Sequence, residues 1–375
     1  MRIAFNGQRF AGQRFGVGRY LEYLLRHWST MLEGDEEVTV FLRQPLQESL
    51  PDLGPRFRIE LLDSGLAGIP WETLRLRRPA ERHDVLFCPA YTAPLGYRGR
   101  LVVATHSVNE SEPAAHSWFY RQTYARLYRH CARVADAVIV PGIRVAKAVE
   151  TYYGVPRERI HIVHQGADDA FHPISDQNIL RATRSRFFGK PRPYILFVGK
   201  GSRRRNIPML IEAFARLKAN GFPHGLVLFG PYSGDVPLDQ LCRSLGVEND
   251  VVQTPGVVPQ HRDLAPIYAA ADIFVHPSEN EGWSMTTTEA LACGVPVIAS
   301  RRGGLAEVAE GHALMLDPPT VDALTNAMVD VLTDPQLADR LRALARERGA
   351  ALRWDVLARQ TLEVIRNVVN PGAAQ

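Results

Sequence analysis

The chain has 375 residues, 46% apolar and 22% charged, with a formal net charge of +4. That length predicts two domains with separate cores, and so mild a charge argues against nucleic acid as a partner. No apolar run approaches the roughly 18 residues of a membrane-spanning helix.

Residues 1–5 pass directly into a strand pattern, leaving no room for a signal peptide. Cys88, Cys131, Cys242 and Cys293 lie far apart, form no C-x-x-C pair and sit in or beside apolar runs, so buried free thiols in a reducing compartment are expected. The expected location is cytoplasmic, with the protein soluble or peripheral to a membrane. Lysine occurs only at Lys147, Lys190, Lys200 and Lys218, so nearly all the positive charge is arginine and each lysine draws notice.

The first strand, residues 2–5, ends at Asn6-Gly7. A Gly/Gln/Arg loop then leads through Gly16-Val-Gly-Arg-Tyr20 into an amphipathic helix over 21–28. Glycines between a first strand and a first helix let a phosphate or a hydroxyl-rich ligand approach the backbone, although a plain turn accounts for them equally well. They are no dinucleotide fingerprint, since Leu21 stands where G-x-G-x-x-G requires glycine.

Apolar runs at 38–42, 59–62, 85–87, 101–104, 137–140 and 160–163 alternate with helical stretches, the pattern of a parallel doubly wound sheet. His106 directly follows one of these strands, where a histidine faces a crevice or serves as a hydrogen-bonded structural residue. From 118 to 133, aromatics (Trp118, Phe119, Tyr120, Tyr124, Tyr128) interleave with arginines (Arg121, Arg126, Arg129, Arg133). A helix packing its aromatics on the sheet is favoured over a membrane-interface face, which leaves peripheral membrane contact as a lesser possibility.

A polar stretch over 173–193 reads as an interdomain linker with a short helix, placing the boundary near 172. The strand 194–198 then runs into Gly199-Lys-Gly-Ser-Arg-Arg-Arg-Asn206, a glycine loop rich in cations ahead of a helix. Free amides and cations at a strand-to-helix turn suit a diphosphate; a solvated basic loop is the plainer alternative, and no Walker G-K-[ST] is present. Strands at 226–229, 251–252, 273–275 and 297–300 follow, and residues 354–369 form a last amphipathic helix.

The stretch from Phe274 to Val308 carries two glutamates, Glu281 and Glu289, separated by seven residues. A loop glutamate and a helix glutamate beside free amides suit a ligand with phosphates and vicinal hydroxyls, such as a nucleotide sugar. Thr286-Thr-Thr-Glu289 also fits a capping box, worth about 1 kcal/mol, and on those residues alone capping is the readier reading of Glu289.

Glu281-Gly-Trp-Ser284, Glu289-Ala290, Cys293-Gly-Val-Pro-Val-Ile298 and Gly303-Gly-Leu-Ala-Glu-Val308, in that order, resemble the Glu-x7-Glu signature of the retaining glycosyltransferase family 4. The chain departs from that signature at Ser284, where the family has glycine, and at Met285-Thr-Thr, where it has Leu-Pro-Pro. The resemblance implies a GT-B fold, in which two Rossmann-like parallel-sheet domains face a central cleft: 1–172 with the final helix 354–370 on the acceptor side, and 194–353 on the nucleotide-sugar side. It implies that Glu281, His106, Lys200 and Arg205 are the catalytic group, with Lys200 and Arg205 stabilising the leaving diphosphate. Glu289 would hold the ribose, and Gly199, Gly282, Trp283, Ser284, Met285, Thr286 and Val257 the rest of the nucleotide and donor. Gly16, Gly18 and Arg19 match the family's G-I-G-R-Y loop near acceptor and donor phosphate. Ser107 stands where the family often has an aspartate after the histidine.

The activity so implied is transfer of a hexosyl group from a nucleotide diphosphate sugar, GDP- or UDP-linked, with retention and with neither metal nor other cofactor. The acceptor would be a saccharide, a lipid-linked saccharide or a small molecule. A non-catalytic nucleotide-sugar-binding protein is the alternative. A nicotinamide-dependent dehydrogenase is disfavoured because neither glycine loop carries the fingerprint with its acidic partner.

Overall fold

The structure, a computed structural model, describes residues 1–11, 16–108, 118–232 and 237–372, and of 118–122 the backbone alone. The chain divides into two compact units, Met1–His164 with Trp354–Gln375, and Gln165–Arg353.

In the first unit seven short strands, β1 Arg2–Asn6, β2 Glu37–Leu42, β3 Phe57–Leu61, β4 Val85–Cys88, β5 Leu101–Ala104, β6 Ala137–Val140 and β7 Ile160–Ile162, pair in parallel in the order β3-β2-β1-β4-β5-β6-β7. The connecting helices are α1 Val17–Trp28, α2 Gly68–Trp71, α3 Arg77–Ala80, α4 Trp118–Val134 and α5 Ile143–Ala148. Between α2 and α3 the helix widens to a π turn over Glu72–Leu76, a local distortion that often accompanies function. The central strands β4, β5 and β6 are buried on both faces, as apolar runs without alternation require. Only β3, at the edge, is largely exposed.

In the second unit β8 Tyr194–Val198, β9 Gly225–Phe229, β10 Val251–Thr254, β11 Ile273–His276, β12 Val297–Ser300 and β13 Leu314–Leu316 form a parallel sheet in the order β10-β9-β8-β11-β12-β13. Its helices are α6 Gln177–Phe188, α7 Ile207–Ala219, α8 Leu238–Ser244, α9 Ala265–Ala269, α10 Met285–Ala292, α11 Gly304–Ala309, α12 Val321–Thr333 and α13 Pro335–Ala351. Apolar layers cover both sheet faces, one built on Leu196, Phe274 and Tyr268, the other on Phe197, Phe214 and Met328. The last helix, α14 Trp354–Val369, belongs to the first unit. There Trp354 stacks on Tyr23 at 4.9 Å, the Trp28 indole donates to the Ala358 carbonyl at 2.8 Å, and Arg366 pairs with both oxygens of Glu36.

Residues 173–193, read from sequence as a linker, lie within the second unit, and their helix α6 is anchored by Arg184 on Asp272 at 2.9 Å. The strand β13, a three-residue, half-buried edge strand, was not anticipated. In both sheets the strand order reverses at the first strand, between β1 and β4 and between β8 and β11. At such switch points, beyond the carboxyl ends of the strands, open α/β sheets bind ligands.

Candidate functional site

At the carboxyl end of β8 the chain enters Gly199 with φ at +139, a conformation that suits only glycine, and turns through Lys200 and Gly201. The Gly199 and Gly201 amides donate to the Phe229 and Pro231 carbonyls at 2.9 and 2.8 Å, fixing the loop beside the end of β9. A 3-10 turn, Arg203–Arg205, and Asn206 in the left-handed region then start α7. Lys200 is exposed and makes no ion pair or hydrogen bond among the described residues.

Arg204 and Arg205 turn instead toward the loop after β11. Arg204 donates to the Asn280 carbonyl and lies 3.5 Å from Glu281 Oε2, while Arg205 Nε lies 3.1 Å from Glu281 Oε1. Asn206 Nδ2 donates to the Pro277 carbonyl at 3.0 Å, and the Glu279 amide donates to the Arg204 carbonyl at 3.0 Å. The two loops are therefore one structure. Burial works to raise the Glu281 pKa, but the hydrogen bond with His276 and the charges of Arg205 and Arg204 prevail and hold the carboxyl at about 2. The result is a fully ionised carboxylate, 9% exposed, at the switch point.

His276, the last residue of β11, was not singled out in the sequence, although it stands at a strand end as His106 does. Its Nδ1 faces the hydroxyls of Thr287 at 2.9 Å and Ser284 at 3.1 Å, and its Nε2 lies 3.5 Å from Glu281 Oε1. Burial lowers the His276 pKa, against the pull of Glu281. The neutral ring thus joins Glu281 to the start of α10.

That helix corrects the sequence reading of its own cap. Its N-cap is Ser284, whose hydroxyl accepts from the Thr287 amide at 3.2 Å, and the capping box expected at Thr286 and Glu289 does not form. Glu289 instead lies in the second turn, 2% exposed, accepting from Tyr268 Oη at 2.8 Å with His261 Nε2 3.0 Å from its other oxygen. The serine that departs from the family pattern therefore has a structural task. Met285 and Thr286, half-buried, supply first-turn amides that have no acceptor within the helix. Trp283 is packed in the core, its indole N–H on the Gln165 carbonyl at 3.2 Å, so only its backbone is left for a ligand. Gly282 packs under Gly304, where a Cβ would strike the Gly282 carbonyl, and the Gly304 amide donates to the Glu281 carbonyl at 2.6 Å. Val257, 60% exposed, stands in the loop after β10. Among the described residues no cluster of three His, Cys, Asp or Glu side chains is placed to hold a metal ion.

In the first unit Gly16, with φ at +42, caps α1, Gly18 is buried and Arg19 half-buried in its first turn; residues 12–15 of that loop lie outside the described residues. His106 follows β5. Its Nε2 donates to the Pro89 carbonyl at 2.7 Å, and its ring lies edge-on to Tyr20 at 4.7 Å and Tyr91 at 5.6 Å. Burial lowers its pKa to about 4, so it is a neutral imidazole at physiological pH. The backbone carbonyl of Pro89 orients the ring from one side, and Ser107 pairs with Tyr91 Oη at 3.1 Å. In α4, Tyr128 is buried while Tyr124, Arg126 and Arg129 are exposed; the side chains of 118–122 lie outside the described residues.

Residues 16–171 match the family model described as Glycosyltransferase Family 4, and residues 181–348 the one described as Glycosyl transferases group 1. Together these cover both units, and the chain belongs to this family of glycosyltransferases, with the GT-B fold. It is 32% identical over 241 residues to the D-inositol 3-phosphate glycosyltransferase of Xylanimonas cellulosilytica, a match over 61% of this chain and 56% of the relative. The chain thus spans little more than half the length of that relative. It is 28% identical to the MMP alpha-(1->4)-mannosyltransferase of Mycolicibacterium hassiacum over 100% of both chains. Among solved structures, sucrose-phosphate synthase from Thermosynechococcus elongatus superimposes with a TM-score of 0.81 at 22% identity, over 99% of this chain and 100% of the other. HepE from Anabaena, in complex with UDP and glucose, does so with a TM-score of 0.77 at 19% identity, over 98% and 99%. Among the described residues no helix is long and apolar enough to cross a membrane.

Proposed function

We propose that the protein transfers a hexosyl group from a nucleotide diphosphate sugar, with retention of configuration, to a hydroxyl of a saccharide, lipid-linked or small-molecule acceptor. The observation that carries this reading is the joining of the glycine loop after β8, the loop after β11 and the start of α10 into one anion-ready edge through Glu281 and His276. Lys200 and the first-turn amides of α10 neutralise the charge that develops on the leaving diphosphate, a role needing no metal ion. Arg205 acts through Glu281, holding it ionised to accept hydrogen bonds from the donor sugar. Glu289 is assigned to the ribose hydroxyls and His106 to sugar hydroxyls as a neutral ring. Gly16, Gly18 and Arg19 are assigned to the acceptor and donor phosphate. Because the fold relative HepE was solved with UDP and glucose, UDP-glucose is the first donor to try, followed by GDP-mannose. Incubation with each donor and simple glycosides, followed by proton NMR of the product's anomeric signal, tests the reading. An anomer matching the donor's supports retention; the opposite anomer refutes it.

The alternative of a non-catalytic binder loses support from the structure of its two departures. Ser284 caps α10 and Ser107 bonds Tyr91.

A further inference from the structure

The carboxyl edge of the first sheet holds a buried acid to which the proposed reaction gives no role. Glu72 opens the π turn after α2 and is 1% exposed. Its Oε1 accepts three hydrogen bonds, from Asn6 Nδ2 at 2.7 Å, Gln8 Nε2 at 3.0 Å and Thr92 Oγ1 at 2.9 Å. Among the described residues its Oε2 accepts none, although it too is buried, and Gln8 Oε1 is likewise buried without a partner there. Asn6 ends β1, Gln8 lies in the turn after it, and Thr92 lies in the loop after β4. One carboxyl oxygen therefore ties the two loops that flank the switch point of the first sheet.

The three donors on Oε1 favour a charged carboxylate, but the buried Oε2 without a partner among the described residues favours the neutral acid, whose carbonyl oxygen accepts and whose hydroxyl carries the proton. A bare carboxylate would leave a buried charged oxygen unpaired, at considerable cost. A proton on Oε2 removes the charge from that buried oxygen, while the Gln8 carboxamide gives an N–H to Oε1.

We propose that Glu72 is a positioning residue of the first unit: held as the neutral acid, it clamps the loop after β1 to the loop after β4 and so fixes Tyr91, Pro89 and, through the Pro89 carbonyl, the ring of His106. Tyr91 is held at φ +64, which a residue other than glycine adopts only where its surroundings impose it. Its amide donates to the Ala104 carbonyl at 2.8 Å, and the next residue is the Thr92 that Glu72 holds.

Burial raises the Glu72 pKa to about 7, against the hydrogen bonds from Asn6 and Thr92 and the charge of Arg9. The other titratable groups that act on it are the thiols of Cys88 at the end of β4 and Cys131 on α4, both kept protonated by burial. A carboxyl whose folded pKa stands above its unfolded value stabilises the fold below the unfolded value and loses that contribution as pH rises to the folded one. The clamp is thus closed in mild acid and weakens as pH rises through about 7. Its consequence for turnover rests on the proposed transfer reaction; its protonation does not.

The test compares wild type with Glu72→Gln, which keeps the acceptor and replaces the O–H by an N–H donor. The urea midpoint of Glu72→Gln should gain on that of wild type as pH rises from about 4.5 to about 7 and stay ahead above it, and wild type minus variant at pH 5 should show the infrared carbonyl band of a neutral carboxylic acid. With histidine labelled by nitrogen-15, the His106 ring signals of wild type should shift between pH 6 and pH 8, while those of Glu72→Gln stay constant and like wild type at pH 6. A midpoint difference constant across pH, a carboxylate band in place of the acid band, or His106 signals that move alike in both proteins would each overturn the proposal. Titrations of both proteins with UDP, GDP, ADP and dTDP separate the two ideas: no nucleoside diphosphate binding in wild type would count against the proposed function and leave the clamp standing.

Discussion

The two sheets reverse strand order in the same way, yet they place opposite chemistry at the reversal. Beyond β8 and β11 a carboxylate is forced to stay charged: Arg204 and Arg205 face Glu281, and its pKa is held at about 2. Beyond β1 and β4 the groups are driven neutral, with Glu72 raised to about 7 by burial and His106 lowered to about 4 by the same cause. Among the described residues only the second edge also offers a glycine loop with an exposed lysine. Topology therefore supplies two crevices, and the side chains decide what each accepts. The charged edge suits a diphosphate and the neutral edge hydroxyl groups, which is the division of labour that transfer between a nucleotide sugar and an alcohol requires.

The largest effect that would break this contrast is expected from Glu289→Ala. It strips Tyr268 and His261 of their buried acceptor, costing about 1–3 kcal/mol for each stranded group, seen as a lower melting temperature. It should also abolish nucleoside diphosphate binding. Next comes Glu281→Gln. A carboxyl held at about 2 stabilises the fold above its unfolded value near 4.5 and loses that contribution as pH falls toward 2. The variant should be less stable than wild type by about 3 kcal/mol at pH 7, with the gap closing in denaturation curves taken toward pH 3. Lys200→Ala should sharpen the contrast, because the lysine is exposed and unpaired among the described residues. Stability should hold while diphosphate affinity falls by about 10–100-fold, the worth of one charge-assisted hydrogen bond. The smallest change is Ser284→Ala, which removes the α10 cap for about 1 kcal/mol and is read as a modest shift in urea midpoint.

Much of the fold was legible because its strands are unbroken apolar runs between glycine and polar turns. Twelve runs were read within a residue or two of observed strands, and only β13, a short half-buried edge strand, was not. The site was legible where a residue type is unusual for its position: Glu281 and Glu289 at their spacing, and Lys200 in a chain of arginines. What stayed hidden depends on three-dimensional partners. Ser284-Met-Thr-Thr-Thr288 offers several caps, and the choice of Ser284 follows from a hydroxyl that also reaches His276. Trp283 reads as a loop aromatic until its indole is seen on Gln165. Glu72 sits in Trp71-Glu-Thr-Leu-Arg-Leu76, which reads as an ordinary amphipathic helix. Nothing local announces that a π turn and two loops bury it.

Calorimetric titration of the wild-type protein with UDP, GDP, ADP, dTDP and NAD, repeated on Lys200→Ala and Glu289→Ala, tests the central claim most directly. The account predicts micromolar binding of one nucleoside diphosphate, weakened in the first variant and lost in the second. Tight binding of NAD, or no diphosphate binding in wild type, would contradict it.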